Sequence, residues 1–255
     1  MPDPWDHPDT ARYYAAFCAT HARYRDANLA LGAAALLRPG MRVLDLAAGS
    51  GGTAEVACAA GCEVVCFEPA RAMRAAGERG VAEARWTSVW PAVGGAFDRV
   101  LCGAAIWQLT PLAETFARVA ALLEVGGAFV FNIPSLYLGE ADLPGGGCDP
   151  LLVELPARLA VGRSPQAEAA PAPPDAEGMG LLLRAAGFEP WRWCMRARFT
   201  QEDLRDWMKI PVLTESLLGG MPADERAALV DGAYAECDGG SWRWEMWTGW
   251  TAWRR

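Results

Sequence analysis

The chain has 255 residues, of which 52% are hydrophobic and 21% are charged, and its formal net charge is −8 at pH 7. This length suits a single α/β domain over residues 1–255, with a small cap. The acidic charge and the lack of a basic run argue against a nucleic-acid partner, because phosphate recognition needs a positive patch. No apolar run approaches the ~18 residues of a membrane span, and the N-terminus lacks the features of a signal peptide. We therefore expect a cytoplasmic protein with no membrane partner.

The predicted elements begin with a helical segment over residues 8–38, which a Pro-Gly turn ends. The short apolar run that begins at Arg42 predicts the first strand. It ends in the carboxylate of Asp45, and a turn with Gly49 and Gly51 follows before the next helix-forming segment. Glycine permits positive φ and close approach of a ligand, and a carboxylate at the end of a parallel strand can meet a cationic or hydroxyl-bearing ligand. This arrangement predicts a nucleoside-binding turn.

Two kinds of nucleoside site are compatible with the turn. Residues 49–54 fit the dinucleotide fingerprint G-x-G-x-x-G/A, in which the first glycine closely follows the strand. Here Asp45 stands four residues before Gly49. A fixed negative charge beside a helix N-terminus would repel the pyrophosphate that such a terminus should hold. A ligand with an ammonium and a sulfonium group and no phosphate meets no such repulsion.

Three further segments continue the alternation of strands and helices as far as residue 134, which predicts a parallel sheet. A second apolar run leads to Glu68, whose carboxylate can accept both hydroxyl groups of a ribose. A third run reaches Cys102 and is followed by Trp107. A helix, a turn and a strand over residues 122–134 then place Asn132 near the carboxyl end of the fifth strand.

The turn after the first strand resembles motif I of class I S-adenosylmethionine-dependent methyltransferases, D-x-G-x-G-x-G, with Ala47 in place of the first glycine. The acid at position 68 and the strand-four and strand-five segments agree with this family in order and spacing over roughly residues 40 to 134. The resemblance implies an α/β fold with a Rossmann-like, mostly parallel seven-stranded sheet flanked by helices, an N-terminal helix and a C-terminal helical cap. It also implies S-adenosylmethionine as the cofactor. The acidic charge and the predicted lid and cap favour a small-molecule substrate.

The same resemblance implies a cofactor site at the carboxyl ends of the first four strands. Its expected members are Asp45, Ala47, Gly49, Gly51, Glu68, Pro69, Trp86, Thr87, Cys102 and Trp107. In this family an acidic residue near the end of strand three commonly meets the adenine amino group, whereas this chain has Trp86 and Thr87 there and no acid. Adenine would then be held by stacking on Trp86 or by main-chain contacts.

Aromatic and polar side chains near this site are the candidates for catalysis. A sulfonium is attracted to an aromatic face by ~0.5–2 kcal/mol, and Trp107 is the best-placed aromatic residue. Tyr13 and Tyr14 come next, because the N-terminal helix in this family often closes over the cofactor. Methyl transfer needs positioning above all, and a base only if the acceptor must lose a proton. The catalytic candidates are Asn132 as a substrate contact, Tyr14, and His21 as a base, although a strand cap or simple packing is also compatible with Asn132 and His21.

Eight cysteines are present, and Cys58, Cys62 and Cys66 are evenly spaced. These three fall on a predicted helix, turn and strand, whereas zinc sites usually pair cysteines about two to four residues apart on one knuckle. The chain has only two histidines to complete such a site. We therefore interpret the cysteines as small buried hydrophobes and predict neither a metal site nor disulfides.

The C-terminal half is less regular than the first. A loop over residues 135–175, with three consecutive glycines and an Ala/Pro-rich stretch, is predicted to form a lid. It is followed by a helix over 177–186, a strand over 191–195, cap helices over 201–209 and 223–235 and an antiparallel strand over 242–253. Eight of the twelve tryptophans lie between residues 191 and 253. The alternation of Trp242, Trp244 and Trp250 predicts that much of this cluster belongs to the sheet core. The alternative is that one or two of these tryptophans line the ligand pocket.

Three functions are compatible with these observations. The first is methyl transfer to an oxygen, nitrogen or carbon atom of a small metabolite in biosynthesis. The second is cyclisation of S-adenosylmethionine itself, as in azetidine-2-carboxylate synthases, where the α-amino group attacks the γ carbon and methylthioadenosine leaves. The third, a non-catalytic S-adenosylmethionine-binding module, is disfavoured by the intact acidic positions and glycine turn. The protein is expected to be a monomer or a homodimer.

Overall fold

The computed structural model describes residues 4–92, 97–140, 159, 173–236 and 242–255. The α-helices in these ranges are α1 (Pro8–Thr20), α2 (Ala22–Ala34), α3 (Gly52–Ala59), α4 (Arg71–Gly80), α5 (Leu112–Leu122), α6 (Ala176–Ala185), α7 (Gln201–Met208), α8 (Pro211–Leu218) and α9 (Ala223–Ala235). The strands are β1 (Arg42–Leu46), β2 (Glu63–Phe67), β3 (Arg85–Thr87), β4 (Phe97–Cys102), β5 (Leu123–Pro134), β6 (Phe188–Thr200) and β7 (Trp242–Arg254). Most of the predicted lid, with its glycine run, lies outside the described residues.

The seven strands form one sheet in the order β3-β2-β1-β4-β5-β7-β6. The strands β1 to β5 pair in parallel, and β7 lies antiparallel between β5 and β6. The predicted mostly parallel seven-stranded sheet and its antiparallel last strand are therefore confirmed. The chain runs outward from β1 to β3 and then returns to β4 on the other side of β1. Such a change of direction opens a crevice at the carboxyl ends of the strands.

Both faces of the sheet are covered by helices, as the continuous apolar runs of the central strands require. Leu44 and Phe129 belong to the cluster that includes residues of α5 and α6. Their neighbours Val43 and Val130 belong to the cluster with residues of α2 and α3, because side chains alternate between the two faces along a strand. Each fully buried Leu, Val or Phe side chain contributes about 1.5–3 kcal/mol. The crevice therefore opens at one end of strands that are buried on both faces.

The N-terminal segment differs from the prediction of one helix over residues 8–38. It forms two helices, α1 and α2, separated at His21, whose backbone is extended with φ −106° and ψ 138°. The His21 ring contacts two carboxylates of α7, Asp203 and Asp206. We infer that these contacts stabilise the break between α1 and α2. Because α7 is distant in the chain, the apolar pattern around His21 does not predict the contact.

Strand β6 is also longer than predicted, because it pairs with β7 along its whole length, from Phe188 opposite Arg254 to Thr200 opposite Trp242. The prediction that much of the C-terminal tryptophan cluster lies in the sheet core holds only in part. Trp250 is 2% exposed, whereas Trp242 and Trp244 are half-buried and lie against arginine side chains of β6. Trp191 is 64% exposed.

The helices α7, α8 and α9 form the cap. Two of them match predicted helices, and α8 is an addition. Leu204, Met208, Leu218 and Val230 pack with Phe199 in a cluster distinct from those on the two sheet faces. A capping box formed by Thr200 and Asp203 begins α7 by satisfying its first backbone donors. No helix in the described ranges is both long enough and apolar enough to cross a membrane.

Candidate functional site

A cavity of about 940 Å³ lies between the carboxyl ends of the parallel strands, the helices α1 and α2, and the cap helices α7 and α8. Its volume is typical of small-molecule sites. Six residues singled out from the sequence line it, namely Tyr14, Ala47, Gly49, Glu68, Pro69 and Trp107. The other eight are not among its lining residues, namely Tyr13, His21, Asp45, Gly51, Trp86, Thr87, Cys102 and Asn132.

The glycine turn after β1 has positive φ at three alternate positions, 57° at Ala47, 58° at Gly49 and 96° at Gly51. Left-handed backbone costs a non-glycine residue about 1–2 kcal/mol, so Ala47 is strained at the position where the related motif has glycine. A Cβ atom on Gly51 would lie 2.8 Å from Cγ2 of Val81. The turn therefore requires glycine at position 51 for conformation and for packing, and Ala47 preserves the backbone path of the motif.

Glu68, which follows β2, is fixed by two backbone donors. Its Oε2 accepts a hydrogen bond from the Gly49 N–H at 2.8 Å, and its Oε1 accepts one from the Ala70 N–H at 2.9 Å. The side chain lines the cavity. A carboxylate has about four lone-pair positions and can accept hydrogen bonds from several donors at once.

Asp45 is 1% exposed, and neither of its carboxyl oxygens reaches good hydrogen-bond geometry with a described residue. Burial raises the pKa of this carboxyl to about 8, against a smaller lowering by the nearby Ala54 N–H, and the negative charge of Glu68 adds to the rise. Asp45 is therefore mostly protonated at pH 7. A protonated Asp45 carries no charge that could repel pyrophosphate, which corrects the expectation from the sequence. The features that select the ligand are Glu68 and the form of the turn.

Trp86 and Thr87 are directed away from the cavity that holds the glycine turn. The Trp86 indole N–H donates to the Val81 carbonyl at 3.1 Å, and its ring fills the space that a Cβ atom on Gly77 would need. Thr87 lines a separate groove of about 1090 Å³ along β2 and β3, and its hydroxyl accepts a hydrogen bond from the Val89 N–H. In this conformation Trp86 supports the turn from behind, and stacking on adenine would require it to move.

Asn132 is completely buried and holds two chain segments together. Its Oδ1 accepts a hydrogen bond from the Ala104 N–H at 2.9 Å, and its Nδ2–H donates to the Ala27 carbonyl at 3.1 Å. Ala104 lies in a cavity wall and has a positive φ of 52°. Asn132 therefore positions this wall of the cavity. The sequence had led us to expect a substrate contact instead. Cys102, nearby in β4, is likewise fully buried.

His21 is clamped between two carboxylates. Its Nδ1 is 2.8 Å from Asp203 Oδ1, and its Nε2 is 2.9 Å from Asp206 Oδ2. Although burial opposes it, hydrogen bonds from Arg205, His21 and Lys209 hold the pKa of Asp206 below its usual range. Both ring nitrogens are thus engaged by a carboxylate oxygen, and neither is left for a substrate proton. The arrangement therefore connects the N-terminal helices to the cap and does not suit a general base.

Aromatic side chains line much of the cavity. The ring of Tyr14 lies 5.7 Å from those of Trp5 and Tyr24, measured between centroids, and Trp107 stacks on Tyr137 at 4.7 Å. Burial raises the pKa of Tyr14 well above its usual value, so its hydroxyl stays protonated at neutral pH. These rings offer π faces to a cation. The alternative candidate, Tyr13, donates to Asp224 of the cap and is not in the cavity lining.

The sequence did not predict a buried ion pair that lies next to the cavity. Arg23 of α2 donates from Nε and Nη2 to the Glu245 carboxylate of β7, at 2.6 and 2.5 Å, and the Trp247 indole N–H donates to the same carboxylate. Arg23 also lines the cavity, and its Nη1 has no hydrogen-bond partner among the described residues. A buried donor without a hydrogen-bond partner lowers the stability of the folded state by about 1–3 kcal/mol. The alternation of Glu245 with aromatic residues along β7 was the only local sign of this pair.

The structure resembles solved structures at low sequence identity. The YcgJ protein from Bacillus subtilis matches with 17% identity and a TM-score of 0.56, over 92% of this chain and all of that one. A putative methyltransferase from Bacillus halodurans matches with 16% identity and a TM-score of 0.56, over 89% and 98%. The [4+2]-cyclase SpnF matches with 19% identity and a TM-score of 0.54, over 90% and 81%. No curated protein sequence matches the chain.

A family model described as a methyltransferase domain matches residues 18–209. The match covers most of the chain and includes the glycine turn, Glu68 and the first cap helix. S-adenosylmethionine is the cofactor of this kind of methyltransferase, and the positive-φ turn beside an acceptor carboxylate suits its nucleoside. The chain belongs to the methyltransferase-domain family.

Proposed function

We propose that this protein transfers a methyl group from S-adenosylmethionine to a small molecule bound in the 940 Å³ cavity. The observation that carries the proposal is the Glu68 carboxylate, fixed by the Gly49 amide at the end of β2 and facing the cavity. Family membership supports the reaction class. The acidic overall charge and the enclosed aromatic lining support a small acceptor over a nucleic acid.

Different lining residues would hold different parts of the cofactor. Glu68 would accept the ribose hydroxyl groups, and the backbone at Ala47 and Gly49 would pass close to the nucleoside. Trp107 and Tyr14 would face the sulfonium, which aromatic rings attract by ~0.5–2 kcal/mol. S-adenosylmethionine, when bound, supplies an electrophilic methyl group.

The described residues favour catalysis by positioning. No histidine lines the cavity in the described part of the chain. Burial raises the pKa of the Cys18 thiol to about 11 and that of Tyr14 well above its usual value, so both groups keep their protons at neutral pH. The chain would thus orient the acceptor along the line of displacement and exclude water, which can supply much of the rate enhancement for such a transfer.

A second candidate is cyclisation of S-adenosylmethionine with release of methylthioadenosine. The specific observation in its favour is the aromatic enclosure around Tyr14 and Trp107 together with the lack of an evident base for a separate acceptor. A non-catalytic binding module is the third candidate. It is weakened by the intact glycine turn and Glu68.

One incubation distinguishes these candidates. The purified protein is mixed with S-adenosylmethionine alone and with pools of small metabolites, and the products are measured by mass spectrometry. S-adenosylhomocysteine formed only with an added metabolite would support methyl transfer. Methylthioadenosine formed without any acceptor would contradict it and support cyclisation. If calorimetry shows that the cofactor binds and neither product forms, the result would support the non-catalytic binding module.

Three wider expectations stay predictions. The whole chain is proposed to form a single domain, with its N-terminal helices and its C-terminal helices closing over the sheet. We propose a cytoplasmic location, and either a monomer or a homodimer in solution. Sedimentation of the purified protein would decide the last point.

A further inference from the structure

One wall of the cavity is not used by the proposed cofactor contacts. It is formed by Arg23 and Tyr24 of α2 and by Trp207 of the cap, all three of which line the cavity. The guanidinium carbon of Arg23 lies 5.1 Å from the Tyr24 ring centroid and 5.5 Å from that of Trp207. These three side chains therefore form one contiguous surface, which we call the Arg23 wall.

Two buried donors of the Arg23 wall lack partners. Arg23 Nη1 and Trp207 Nε1 make no hydrogen bond with any described residue. The Tyr24 hydroxyl lies near the indole N–H, but the two do not reach hydrogen-bond geometry. Among the described side chains that line the cavity, no buried acceptor atom is left unpartnered. Neither donor is accessible from the cavity in this conformation. Buried polar groups are almost always satisfied, so the missing partner is a hydrogen-bond acceptor, which a small movement of the two side chains would bring within reach.

The charge of Arg23 limits what that acceptor can be. Both Nε and Nη2 already face the Glu245 carboxylate, so the pair is neutral as a whole. A carboxylate ligand would add a second negative charge beside a buried pair, and burying an unbalanced ion is costly. An uncharged oxygen, such as the carbonyl of a ketone or an amide, can accept from the two donors without that cost.

The rest of the cavity favours a flat, apolar ligand body. Trp107 and Tyr137 are stacked with an interplanar angle of 18°, and both line the cavity. Tyr137 has no part in the proposed cofactor contacts, and an aromatic surface of this kind packs well against rings.

We propose that the Arg23 wall binds the carbonyl-type oxygen of an uncharged methyl acceptor that has an aromatic or flat apolar body. The inference rests on the proposed function, because it assigns the glycine-turn side of the cavity to the cofactor. Arg23 and Trp207 are then substrate contacts that determine specificity. Glu245 is a positioning residue that fixes the guanidinium.

The test uses three probes of the same size and different polarity. Acetophenone carries a carbonyl, ethylbenzene lacks an oxygen, and benzoate carries a negative charge. Each probe is titrated into the full chain, labelled with 15N at its tryptophan indoles, both with and without saturating S-adenosylhomocysteine. We expect acetophenone to shift the Trp207 indole resonance and to bind ~10-fold more tightly than ethylbenzene, with benzoate weaker than acetophenone.

Conservative variants test whether the preference for acetophenone depends on the Arg23 wall. Trp207→Phe removes the indole N–H together with part of the ring, and Arg23→Lys keeps a cation for Glu245 while losing the planar fork. Both are expected to reduce the preference for acetophenone over ethylbenzene. The matched control is Trp193→Phe, because Trp193 also has a buried, unpartnered indole N–H but does not line the cavity. It should leave the preference unchanged, and the Trp207→Phe spectrum assigns the reporting resonance.

Several results would overturn the inference. These are equal binding of acetophenone and ethylbenzene, a preference for benzoate, an unshifted Trp207 resonance with acetophenone, or an equal loss of preference in Trp193→Phe. The proposed function fails separately, if calorimetry shows no binding of S-adenosylhomocysteine. The titrations without that ligand still test the Arg23 wall in that case.

Discussion

The Glu68 carboxylate connects the end of β2 to the glycine turn after β1, because it accepts the Gly49 amide at 2.8 Å. Its second oxygen accepts the Ala70 amide at the start of α4. One side chain thereby aligns three chain segments at the cavity. A ribose that approaches the turn would meet a carboxylate that is already oriented, so little conformational entropy is lost on binding.

Glu68→Gln should weaken binding of S-adenosylmethionine by ~10–100-fold, because hydrogen bonds to a charged acceptor contribute about 1.5–3 kcal/mol. Isothermal calorimetry measures the change. Glu78→Gln, at an exposed position on α4, is the matched control and should bind like the unaltered protein. Equal affinities for all three proteins would remove Glu68 from the site.

Asp45→Asn should make stability less dependent on pH. Because the folded pKa of Asp45 is raised to about 8, the folded state keeps a proton that the unfolded state loses above pH ~4. The unfolded state then binds fewer protons, so the free energy of unfolding falls as pH rises from ~4 to ~8. Asparagine cannot ionise and lacks this loss.

The measurement for Asp45→Asn is the free energy of unfolding in urea at several pH values. We expect the advantage of the variant over the unaltered protein to grow from near zero at pH ~4 to ~2–5 kcal/mol at pH ~8. A difference that is independent of pH would show that Asp45 has an ordinary pKa in the folded protein.

His21→Gln should lower stability and leave the chemistry intact. The change removes one or both contacts with Asp203 and Asp206, at a cost of ~1–3 kcal/mol, measured by urea denaturation. A general base would instead account for ~10²–10⁴-fold in turnover. His7→Gln is the control, because His7 is 64% exposed. A loss of turnover at that scale, with unchanged stability, would restore His21 as a base.

Asn132→Ala should destabilise the protein by ~2–4 kcal/mol, because the Ala104 N–H and the Ala27 carbonyl lose their buried partner together. The readout is the midpoint of chemical denaturation. Cofactor affinity, measured at a temperature where the variant is folded, should fall less than for Glu68→Gln. A variant of normal stability with a large rise in acceptor KM would indicate a direct substrate contact.

Two Gly→Ala changes in helices should have opposite signs. A Cβ atom on Gly77 would lie 2.0 Å from the Trp86 ring, whereas one on Gly232 of α9 meets nothing within 4 Å. Gly77→Ala should therefore cost ~1–3 kcal/mol through overpacking. Gly232→Ala should stabilise by ~0.5–1 kcal/mol through helix propensity. Thermal denaturation compares them, and equal effects would mean that Trp86 does not occupy this space.

Several cavity residues could be predicted because their placement depends on local pattern. The apolar run that leads to Glu68 predicts the end of a strand, and parallel strands bring their carboxyl ends to one edge. The glycine positions predict where the backbone turns with positive φ. Family resemblance then assigned the cofactor to this edge, and the observed lining at Ala47, Gly49 and Glu68 agrees with that placement.

Other residues were misassigned because their neighbours are remote in sequence. Nothing near Asn132 indicates that its amide lies between Ala27 and Ala104. His21 looks like a helical histidine until α7 packs beside it. Strand three similarly suggests that Trp86 is free to stack on a ligand, whereas Gly77 leaves a space that its ring fills.

The sequence by itself determined the order of strands and helices, the glycine turn and the family, because these depend on short-range periodicity and backbone conformation. Only the tertiary structure decided which side chains face the cavity, that Asp45 is buried without a well-formed hydrogen bond, and that Arg23 pairs with Glu245 across 222 residues of chain. The physical reason is that burial and hydrogen-bond partners depend on neighbours in space. Those neighbours are set only when distant segments pack together.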